Sequence, residues 1–449
     1  TATRFPGGRI PTPQHIVVVI RQKHTLCVSP GGNEILMDRF EIPLDIEDVK
    51  IEQVKFTQND EIIITVTSTL EGTDCHRCGK KIMAAYGYGR EITLRHLSIL
   101  GKPTYIRITP NRYQCPYGGD HPTTTQKVSW YDARSPHTKA YETHVLLNLV
   151  NSTVVDVSIK EGLGYEAIQG IIDRRVSEKV EWNEFKELGQ IGIDEISGKK
   201  GHQDFFTIVT TRLATGVLRV LGVLEGREKA TVKKFFLSIP KKLRKTIRVV
   251  CSDMYEGYIN AVKEVLGKGV QVVVDRFHVA KLYRKGLDEI RKKELKRLKK
   301  ERPEADYKAF KGVMWLLRKN PAELKPEEVE VISGLFKHTP RLGSAYVFCY
   351  TLTSIFELPL TKAEAKQRFR AWKQLVQESE LDCFDSFLST LDKRLEEITN
   401  YFVARKNSGF VEGLNNKIKV IKRRCYGIFK VGHLFQRLFI DLTGYEKFA

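Results

Sequence analysis

The segment "IGIDEISGKKGHQDFFTIVTTRLATGVLRVLGVLEGR" (Ile191–Arg227) decides the fold. It contains three runs of mainly β-branched and aliphatic residues, separated by Gly and polar turns, and this pattern predicts three consecutive strands. The next residues predict a helix over 230–240, a strand that ends at Asp253, a helix over 254–267 and a strand that leads into Asp275. The core is therefore predicted to be an α/β domain whose sheet begins with three consecutive strands.

Three strands, a helix, a strand, a helix and a strand follow one another in ribonuclease-H-like domains, so that fold is predicted for this segment. In open sheets of this kind, functional sites lie at strand ends. Asp194 lies in the first strand, and Asp253 closes the fourth, 59 residues later. Because the first and fourth strands are neighbours in this fold, the two carboxylates are expected to meet. Glu195 and Asp204 are the alternatives to Asp194, and a surface or capping role is the ordinary alternative for any single acid.

A third carboxylate is predicted within "FVEGLNNKIKVIKRR" (Phe410–Arg424). Between Glu397 and Asp441 the chain has nine basic residues and one acid, Glu412. A lone carboxylate beside a basic surface indicates a metal ligand next to bound phosphate. Asp194, Asp253 and Glu412 together predict a site for two Mg²⁺ (or Mn²⁺) ions, because hard cations prefer oxygen ligands and such pairs catalyse phosphoryl transfer.

Asp275 and His278 form a D-x-x-H step after the fifth strand. The step predicts hydrogen bonds that fix the strand end or support the metal ligands from behind. Direct contact between Asp275 and a metal ion is the alternative.

The basic residues predict contacts with DNA. The formal net charge of the 449 residues is +20, which favours a polyanionic partner, although a basic, thermotolerant enzyme is also consistent with it. The segment from Lys281 to Lys300 has ten basic residues and three acids, and a solvated helix is the alternative there. Trp372 is a candidate for stacking on an unpaired base, or else a core residue. The predicted DNA contacts outside the N-terminal half are Lys292, Lys293, Arg297, Trp372, Asn415, Asn416, Lys417, Lys419, Lys422, Arg423 and Arg424.

Cysteine usage points to a structural zinc site and not to disulfides. Only Cys75 and Cys78, in "CHRCGKK", are closely spaced among eight cysteines, so a reducing cytoplasm is predicted. Cys115 and His121, in "RYQCPYGGDH", follow two strand-like stretches, and the four side chains predict a zinc ribbon. His76 and His96 are alternative ligands. Redox thiols or plain buried cysteines are the alternative interpretation of the first pair.

A helix-turn-helix is predicted within "HVLLNLVNSTVVDVSIKEGLGYEAIQGIIDRRV" (His144–Val176). Gly162 and Gly164 permit a tight turn, and the second helix is expected from about Tyr165 to Val176. Gln169 and Arg174, on its polar face, are the predicted contacts with a major groove. An ordinary helical hairpin is the alternative.

These patterns predict a multidomain α+β chain. No run of 18 apolar residues is present, so no membrane partner is expected. From Met37 the sequence reads like a normal protein start, so residues 1–36 are expected to be an extension, and no role is assigned to them. The expected parts are this extension, a zinc-ribbon-like domain (37–130), the helix-turn-helix (131–180), the first part of the catalytic core (181–280), an all-α insertion (281–400) and the C-terminal catalytic helices (401–449).

The motifs "CHRCG", "RYQC", "IGIDE", "SDMYEGY", "DRFHVAK" and "NSGFVEGLNNKIKVIKRRCYGI", in this order, resemble the ISL3 family of bacterial insertion-sequence transposases. The resemblance covers about Asp38 to Phe448. It implies a zinc-finger-like module, a helix-turn-helix and a DDE catalytic domain with a helical insertion, with Asp194, Asp253 and Glu412 as the acids. One departure is that the family usually has a second C-x-x-C, whereas Gly118 stands in the place of the last cysteine.

The function expected from the resemblance is DNA transposition. The chain is predicted to bind the terminal inverted repeats of its element and to cut and join double-stranded DNA, including target DNA, by a two-metal mechanism. Pairing of two ends implies a homodimer or larger homo-oligomer in the bacterial cytoplasm, associated with the nucleoid. A domesticated DNA-binding regulator that no longer cuts is the main alternative, and a structure-specific nuclease is a further one.

Overall fold

The computed structural model describes residues 15–19, 39–44, 46–118, 120–197, 205–267, 269–405, 409–425 and 430–449. Some side chains inside these segments, including those of residues 410–412, lie outside the description. The chain divides into two compact units, Thr1–Arg175 with Thr443–Ala449, and Val176–Leu442. Most of the predicted extension, residues 1–36, falls outside the described segments.

Within the residues that the structure describes, the first unit has eleven strands and three α-helices. The strands are β1 (His15–Val19), β2 (Arg39–Pro43), β3 (Val49–Phe56), β4 (Ile62–Ser68), β5 (Thr73–Asp74), β6 (Lys81–Ile82), β7 (Ala84–Tyr88), β8 (Ile92–Ile99), β9 (Lys102–Ile108), β10 (Asn111–Gln114) and β11 (Thr124–Thr125). The helices are α1 (Lys139–Leu149), α2 (Val154–Glu161) and α3 (Tyr165–Arg175).

The sheets of the first unit are small. β3, β4, β9 and β8 form a four-stranded sheet in that order, and its buried side chains make one apolar core. β11, β10 and β7 form a three-stranded sheet, while β5 pairs with β6 and β1 pairs with β2. Only four side chains make up the buried cluster of the β5–β7 region: Cys75, Ile82, Tyr113 and Cys115. Such a core is too small to hold this region together by apolar burial alone.

Helices α2 and α3 are joined by a tight turn. Thr153 and Asp156 form a capping box at the start of α2, and Gly162 ends this helix with a positive φ of 64°. A left-handed residue in that position favours glycine. The predicted second helix corresponds to α3, whose buried side chains are Ile168, Ile171 and Ile172.

The described segments of the second unit contain five strands and thirteen α-helices, of which the last continues beyond Leu442. The strands are β12 (Gln190–Ser197), β13 (Phe205–Arg212), β14 (Leu218–Glu225), β15 (Val249–Ser252) and β16 (Gln271–Val274). The helices are α4 (Lys229–Ser238), α5 (Lys241–Arg244), α6 (Glu256–Leu266), α7 (Arg276–Glu301), α8 (Glu304–Ala309), α9 (Val313–Leu316), α10 (Pro326–His338), α11 (Pro340–Glu357), α12 (Lys362–Glu378), α13 (Asp385–Thr399), α14 (Tyr401–Ala404), α15 (Gly409–Arg424) and α16 (Val431–Phe448).

The five strands form one mixed sheet in the order β14-β13-β12-β15-β16. β12 is antiparallel to β13 and parallel to β15, which is parallel to β16. The two shortest strands, β15 and β16, are almost entirely apolar, as is typical of parallel strands that are covered on both faces. The elements from β12 to β16 follow the order predicted from the sequence, with the short helix α5 added before β15.

Two apolar cores pack against this sheet. Ile191 and Ile193 of β12 point to one face and belong to the larger core, which also includes side chains of β15 and β16, of the helices from α4 to α7 and of those from α9 to α14. Ile196 of β12 belongs to a second core on the opposite face, together with side chains of α15 and α16. Because side chains alternate along a strand, Asp194 lies on the face of Ile196 and of α15.

Candidate functional site

Three aspartates lie in one row across the parallel strands. Gly192 of β12 is paired with Cys251 of β15, and Ser252 of β15 is paired with Val274 of β16. The same registers, continued, place Asp194 beside Asp253 and Asp253 beside Asp275. Neighbouring strands are about 4.8 Å apart, so this row brings the carboxylates together on one face of the sheet.

Electrostatic interactions among the carboxylates follow from this arrangement. Burial raises the pKa of Asp194, the charges of Asp275 and Glu195 raise it further, and His278 opposes the rise. Burial also raises the pKa of Asp253, with added contributions from Glu195 and Asp194 and an opposing one from His278. This mutual repulsion is what a bound cation relieves.

Short hydrogen bonds fix each aspartate. Asp194 Oδ1 accepts a hydrogen bond from the backbone N–H of Glu195 at 2.7 Å. Asp253 Oδ1 accepts one from the N–H of Tyr255, and Asp275 Oδ1 accepts one from the N–H of Phe277, both at 2.9 Å. The last bond caps the N-terminus of α7, the helix that carries His278.

Helix α15 reaches Asp194 through Asn415. The Asn415 side chain is only 4% exposed, and its Nδ2 donates to Asp194 Oδ2 at 2.5 Å. Leu414, Ile418 and Ile421 of the same helix are buried in the core on that face of the sheet. Glu412 lies on α15 three residues before Asn415, but its side chain is outside the described residues, so the third carboxylate stays a prediction.

Neither alternative to Asp194 joins this row in the described structure. Asp204 lies outside the described residues. Glu195 points to the opposite face of the sheet, where its Oε1 accepts a hydrogen bond from the Tyr258 hydroxyl at 3.0 Å. Arg227 also approaches Glu195 Oε2 at 3.6 Å. Glu195 therefore forms its hydrogen bond and its ion pair on the opposite face of the sheet from Asp194. The sequence already indicates this, because neighbouring residues of a strand point to opposite faces.

The four predicted zinc ligands meet in the first unit. The ligand atoms of Cys75, Cys78, Cys115 and His121 all lie within 4.8 Å of one another. Cys78 Sγ and Cys115 Sγ are 3.7 Å apart, as are Cys75 Sγ and His121 Nδ1. Tetrahedral zinc with Zn–S bonds of about 2.3 Å holds two sulfurs about 3.8 Å apart, so the cluster has the size of a zinc site.

His121 fills the space that a second C-x-x-C pair would use. A Cβ atom added at Gly118 would lie 2.7 Å from His121 Nε2 and within 2.9 Å of two ring carbons. The ring therefore occupies the place of a side chain at position 118, which explains how the motif works without its last cysteine. The alternative ligands are used elsewhere, because His76 Nδ1 contacts Thr124 Oγ1 and His96 Nδ1 contacts Thr138 Oγ1, each at 2.9 Å.

The prediction that Trp372 stacks on DNA is wrong in this structure. Its ring is 2% exposed, and its indole N–H donates to Phe348 O at 3.0 Å. The ring also packs edge-on against Phe384 and Phe387. Trp372 is a core residue of the helical region, and Asn415, predicted to contact DNA, is instead buried against Asp194.

Several predicted DNA contacts already have protein partners. The guanidinium of Arg174 donates to Oε1 of the buried Glu142 at 2.6 Å. Lys422 Nζ donates to Ser197 O at 2.6 Å, and Arg424 pairs with Asp441. Others with partners in the described chain are Gln169, Lys293, Arg297 and Lys417.

Four of the predicted DNA contacts face solvent. These residues are exposed and form no ion pair with any acid whose side chain the structure describes: Lys292, Asn416, Lys419 and Arg423. They are the members of the predicted set most accessible to a phosphate backbone.

Comparison with known proteins identifies the family of the chain. The DDE transposase model of the ISL3 family, described as "Transposase", matches residues 191–438, more than half of the chain. The chain belongs to the ISL3 family of transposases. A second model, "zinc-finger of transposase IS204/IS1001/IS1096/IS1165", matches residues 71–118 of this transposase. That match includes Cys75, Cys78 and Cys115 and ends at Gly118, before His121. The resemblance predicted from the motifs is therefore confirmed.

Two curated relatives are similar along most of the transposase. The transposase for insertion sequence element IS1001 from Bordetella parapertussis is 25% identical over 370 residues, which are 81% of this chain and 87% of the relative. The transposase for IS1557 from Mycobacterium tuberculosis (strain CDC 1551 / Oshkosh) is 24% identical over 427 residues, 89% of this chain and 93% of the relative.

A solved structure gives a weaker likeness. The Drosophila P element transposase strand transfer complex covers 68% of this chain and 91% of its own, with 10% sequence identity and a TM-score of 0.36. Among the described helices, none is long and apolar enough to cross a membrane.

Proposed function

We propose that this transposase binds the terminal inverted repeats of its insertion sequence and cuts and joins DNA with a DDE site made of Asp194, Asp253 and Glu412. The observation that carries the proposal is the placement of Asp194 beside Asp253, with helix α15 held against Asp194 by Asn415. The strand order and the long helical segment after β16 support a ribonuclease-H-like core, with residues 281–400 as an all-α insertion.

Helical geometry supports Glu412 as the third acid. Residues three apart on a helix lie on the same face. Asn415 of α15 contacts Asp194, so the residue one turn earlier is expected to face the same strand ends. This inference uses the backbone position of Glu412 and its spacing from Asn415.

The side chains present fit a pair of divalent cations. Asp194 and Asp253 offer carboxylate oxygens, and the buried Asn415 Oδ1 has no hydrogen-bond partner in the described chain. Oxygen ligands of this kind suit Mg²⁺ and Mn²⁺. When bound, such ions supply Lewis-acid chemistry at the attacking and leaving oxygens of a phosphodiester. The three acids would orient these oxygens through the ions that they hold. Asp275 caps α7 and thereby positions His278 near both aspartates.

The first unit supports recognition of the DNA ends. A zinc ion held by Cys75, Cys78, Cys115 and His121 would fix the ribbon, whose own apolar core is small. The helix pair α2 and α3 has the order and tight turn of a helix-turn-helix, and α3 would enter a major groove. Pairing of two ends by a homodimer or larger assembly is part of the same proposal.

A cleavage and joining assay tests this function. Wild-type protein and Asp253→Ala are compared on oligonucleotides that carry the terminal repeat, with Mg²⁺. Glu225→Ala is the matched control, because Glu225 is an exposed acid at the end of β14 in the same sheet. We expect nicking and strand joining with wild type and control, and neither with Asp253→Ala. Equal activity in all three proteins would reject the site, and tight binding without cutting in wild type would favour the regulator.

A further inference from the structure

Asn415 differs from the other polar residues of α15 whose side chains the structure describes, because it is buried. It is 4% exposed in a helix whose last turn is made of basic residues. Its Nδ2 donates to Asp194 Oδ2, whereas its Oδ1 is buried and accepts no hydrogen bond from any described residue. A buried acceptor without a partner costs free energy, so a group that satisfies it is expected.

The orientation of the Asn415 amide follows from the chemistry of Asp194. An ionised carboxylate can only accept hydrogen bonds, so the amide must present its NH₂ group to Asp194 and not its oxygen. The oxygen is then the free end of a side chain that already touches the carboxylate row.

Three of the five basic side chains of α15 are engaged elsewhere, and the other two, Lys419 and Arg423, face solvent. Lys417 Nζ donates to Asp441 O at 3.4 Å, Lys422 Nζ donates to Ser197 O at 2.6 Å, and Arg424 pairs with Asp441. Asn416, the next residue, is exposed and faces away from the core. No cation in this part of the described chain therefore supplies the missing partner of Asn415 Oδ1.

We propose that Asn415 Oδ1 is a metal ligand that completes the site of Asp194 and Asp253, while Asn415 Nδ2 holds Asp194 in place. This inference rests on the proposed function, because it assumes divalent cations at the carboxylate row. A neutral oxygen suits this position, because the register of β12 and β15 already places two carboxylates side by side there. An amide adds coordination without adding another negative charge.

Binding of Mn²⁺ to the full-length protein, loaded beforehand with zinc, tests the proposal without any measurement of activity. Titration calorimetry and electron paramagnetic resonance of unbound Mn²⁺ both report the affinity. We expect Asn415→Ala to weaken binding by about 10–100-fold, as loss of a group that supports a metal site commonly does. Asn416→Ala is the matched control and should bind as tightly as wild type.

Asn415→Asp separates the ligand role from the positioning role. The introduced carboxylate keeps an oxygen for the metal but has no N–H for Asp194. If Asn415 is a ligand, the affinity of Asn415→Asp recovers relative to Asn415→Ala as the pH rises, because the extra acid must lose its proton first. Equal, weak binding by both variants at every pH would overturn the ligand role, as would unchanged binding by Asn415→Ala.

Two further measurements keep the outcomes distinct. Thermal melting shows whether each variant is folded, and if Asn415→Ala does not fold, the pH dependence of Asn415→Asp decides alone. Asp253→Ala tests the metal site itself. Loss of Mn²⁺ binding in Asp253→Ala but not in Asn415→Ala would overturn only this inference, whereas unchanged binding in Asp253→Ala would reject the proposed function.

Discussion

The carboxylate row and the cysteine–histidine cluster are held in place by different forces. Asp194 and Asp253 lie on central strands between two apolar cores, and they are 59 residues apart in sequence. The zinc ligands lie within a module whose buried core is four side chains, two of them ligands themselves. The fold therefore forms the carboxylate row, whereas the cysteine–histidine cluster must help to fold the module that contains it.

Removal of zinc is therefore expected to have the largest effect on folding, and this effect should be confined to the zinc ribbon. Structural zinc contributes about 10–16 kcal/mol to the folding of zinc-finger peptides, far more than four buried side chains supply. We expect chelation to unfold β5–β7, β10 and β11 (residues 73–88 and 111–125), which hydrogen exchange would show as lost protection, while β8 and β9 keep the apolar core of their own sheet. Exchange in β12, β15 and β16 should stay slow. Equal loss of protection in both regions would break the comparison.

Neutralising Glu412, the proposed third acid, should lower activity and leave folding unchanged, which is the opposite of what we expect for zinc removal. Glu412→Gln keeps the size of the side chain but removes its charge, so we expect cleavage to fall by roughly a thousandfold, equivalent to several kcal/mol of transition-state stabilisation. Melting temperature and zinc content should stay those of wild type. Lys419→Gln, a change of charge on the same helix, is the control and should weaken DNA binding without this loss. Cleavage by Glu412→Gln at the wild-type rate would remove Glu412 from the site.

Moving the fourth zinc ligand should have a moderate effect. The ring of His121 fills the space at Gly118. We expect Gly118→Cys alone to lower zinc affinity, because the new side chain collides with the ring. Gly118→Cys combined with His121→Ala should restore tight binding through four cysteines. Competition with a colorimetric chelator measures both. Wild-type affinity in His121→Ala alone would show that His121 does not bind the metal.

The pH dependence of stability should show the smallest effect. Burial raises the pKa of Asp253 in the folded protein, so the folded state holds this proton to higher pH than the unfolded state does. The free energy of unfolding therefore falls as the pH rises from about 3.9, the pKa of an aspartate in the unfolded chain, through the raised pKa of Asp253.

Asp253→Asn removes this cost of burying a charge. In magnesium-free buffer at neutral pH, we expect a higher melting temperature for the second unit, by about 2–4 °C for each 1 kcal/mol relieved. The difference should vanish at acidic pH. A lower melting temperature at neutral pH would show that the carboxylate stabilises the metal-free protein.

The sequence predicts the local features of both sites well. Apolar runs before Asp194 and Asp253 mark buried strands, and the structure has Asp194 within β12 and Asp253 directly after β15. The spacing of Cys75, Cys78 and Cys115 predicts two turns that bring thiolates together, as observed. Each of these signals is formed by a few neighbouring residues, so a short segment of sequence is enough to show it.

Contacts between distant segments are not visible in local patterns. Asn415 and Asp194 are 221 residues apart. In the sequence, an asparagine of a basic helix looks the same whether it contacts DNA or a buried acid. Trp372 has the same ambiguity, because an amphipathic helix shows that one face is buried but not which large side chain it includes. Arg174 pairs with Glu142, a buried acid that the sequence gives no reason to single out.

The central claim is that Asp194, Asp253 and Glu412 bind the same pair of divalent ions. Anomalous diffraction from crystals of the full chain with Mn²⁺ and terminal-repeat DNA measures this directly. The account predicts two peaks about 4 Å apart, with carboxylate oxygens of all three residues as ligands. A Glu412 carboxylate turned away from Asp194 and Asp253, with no peak between them, would contradict it.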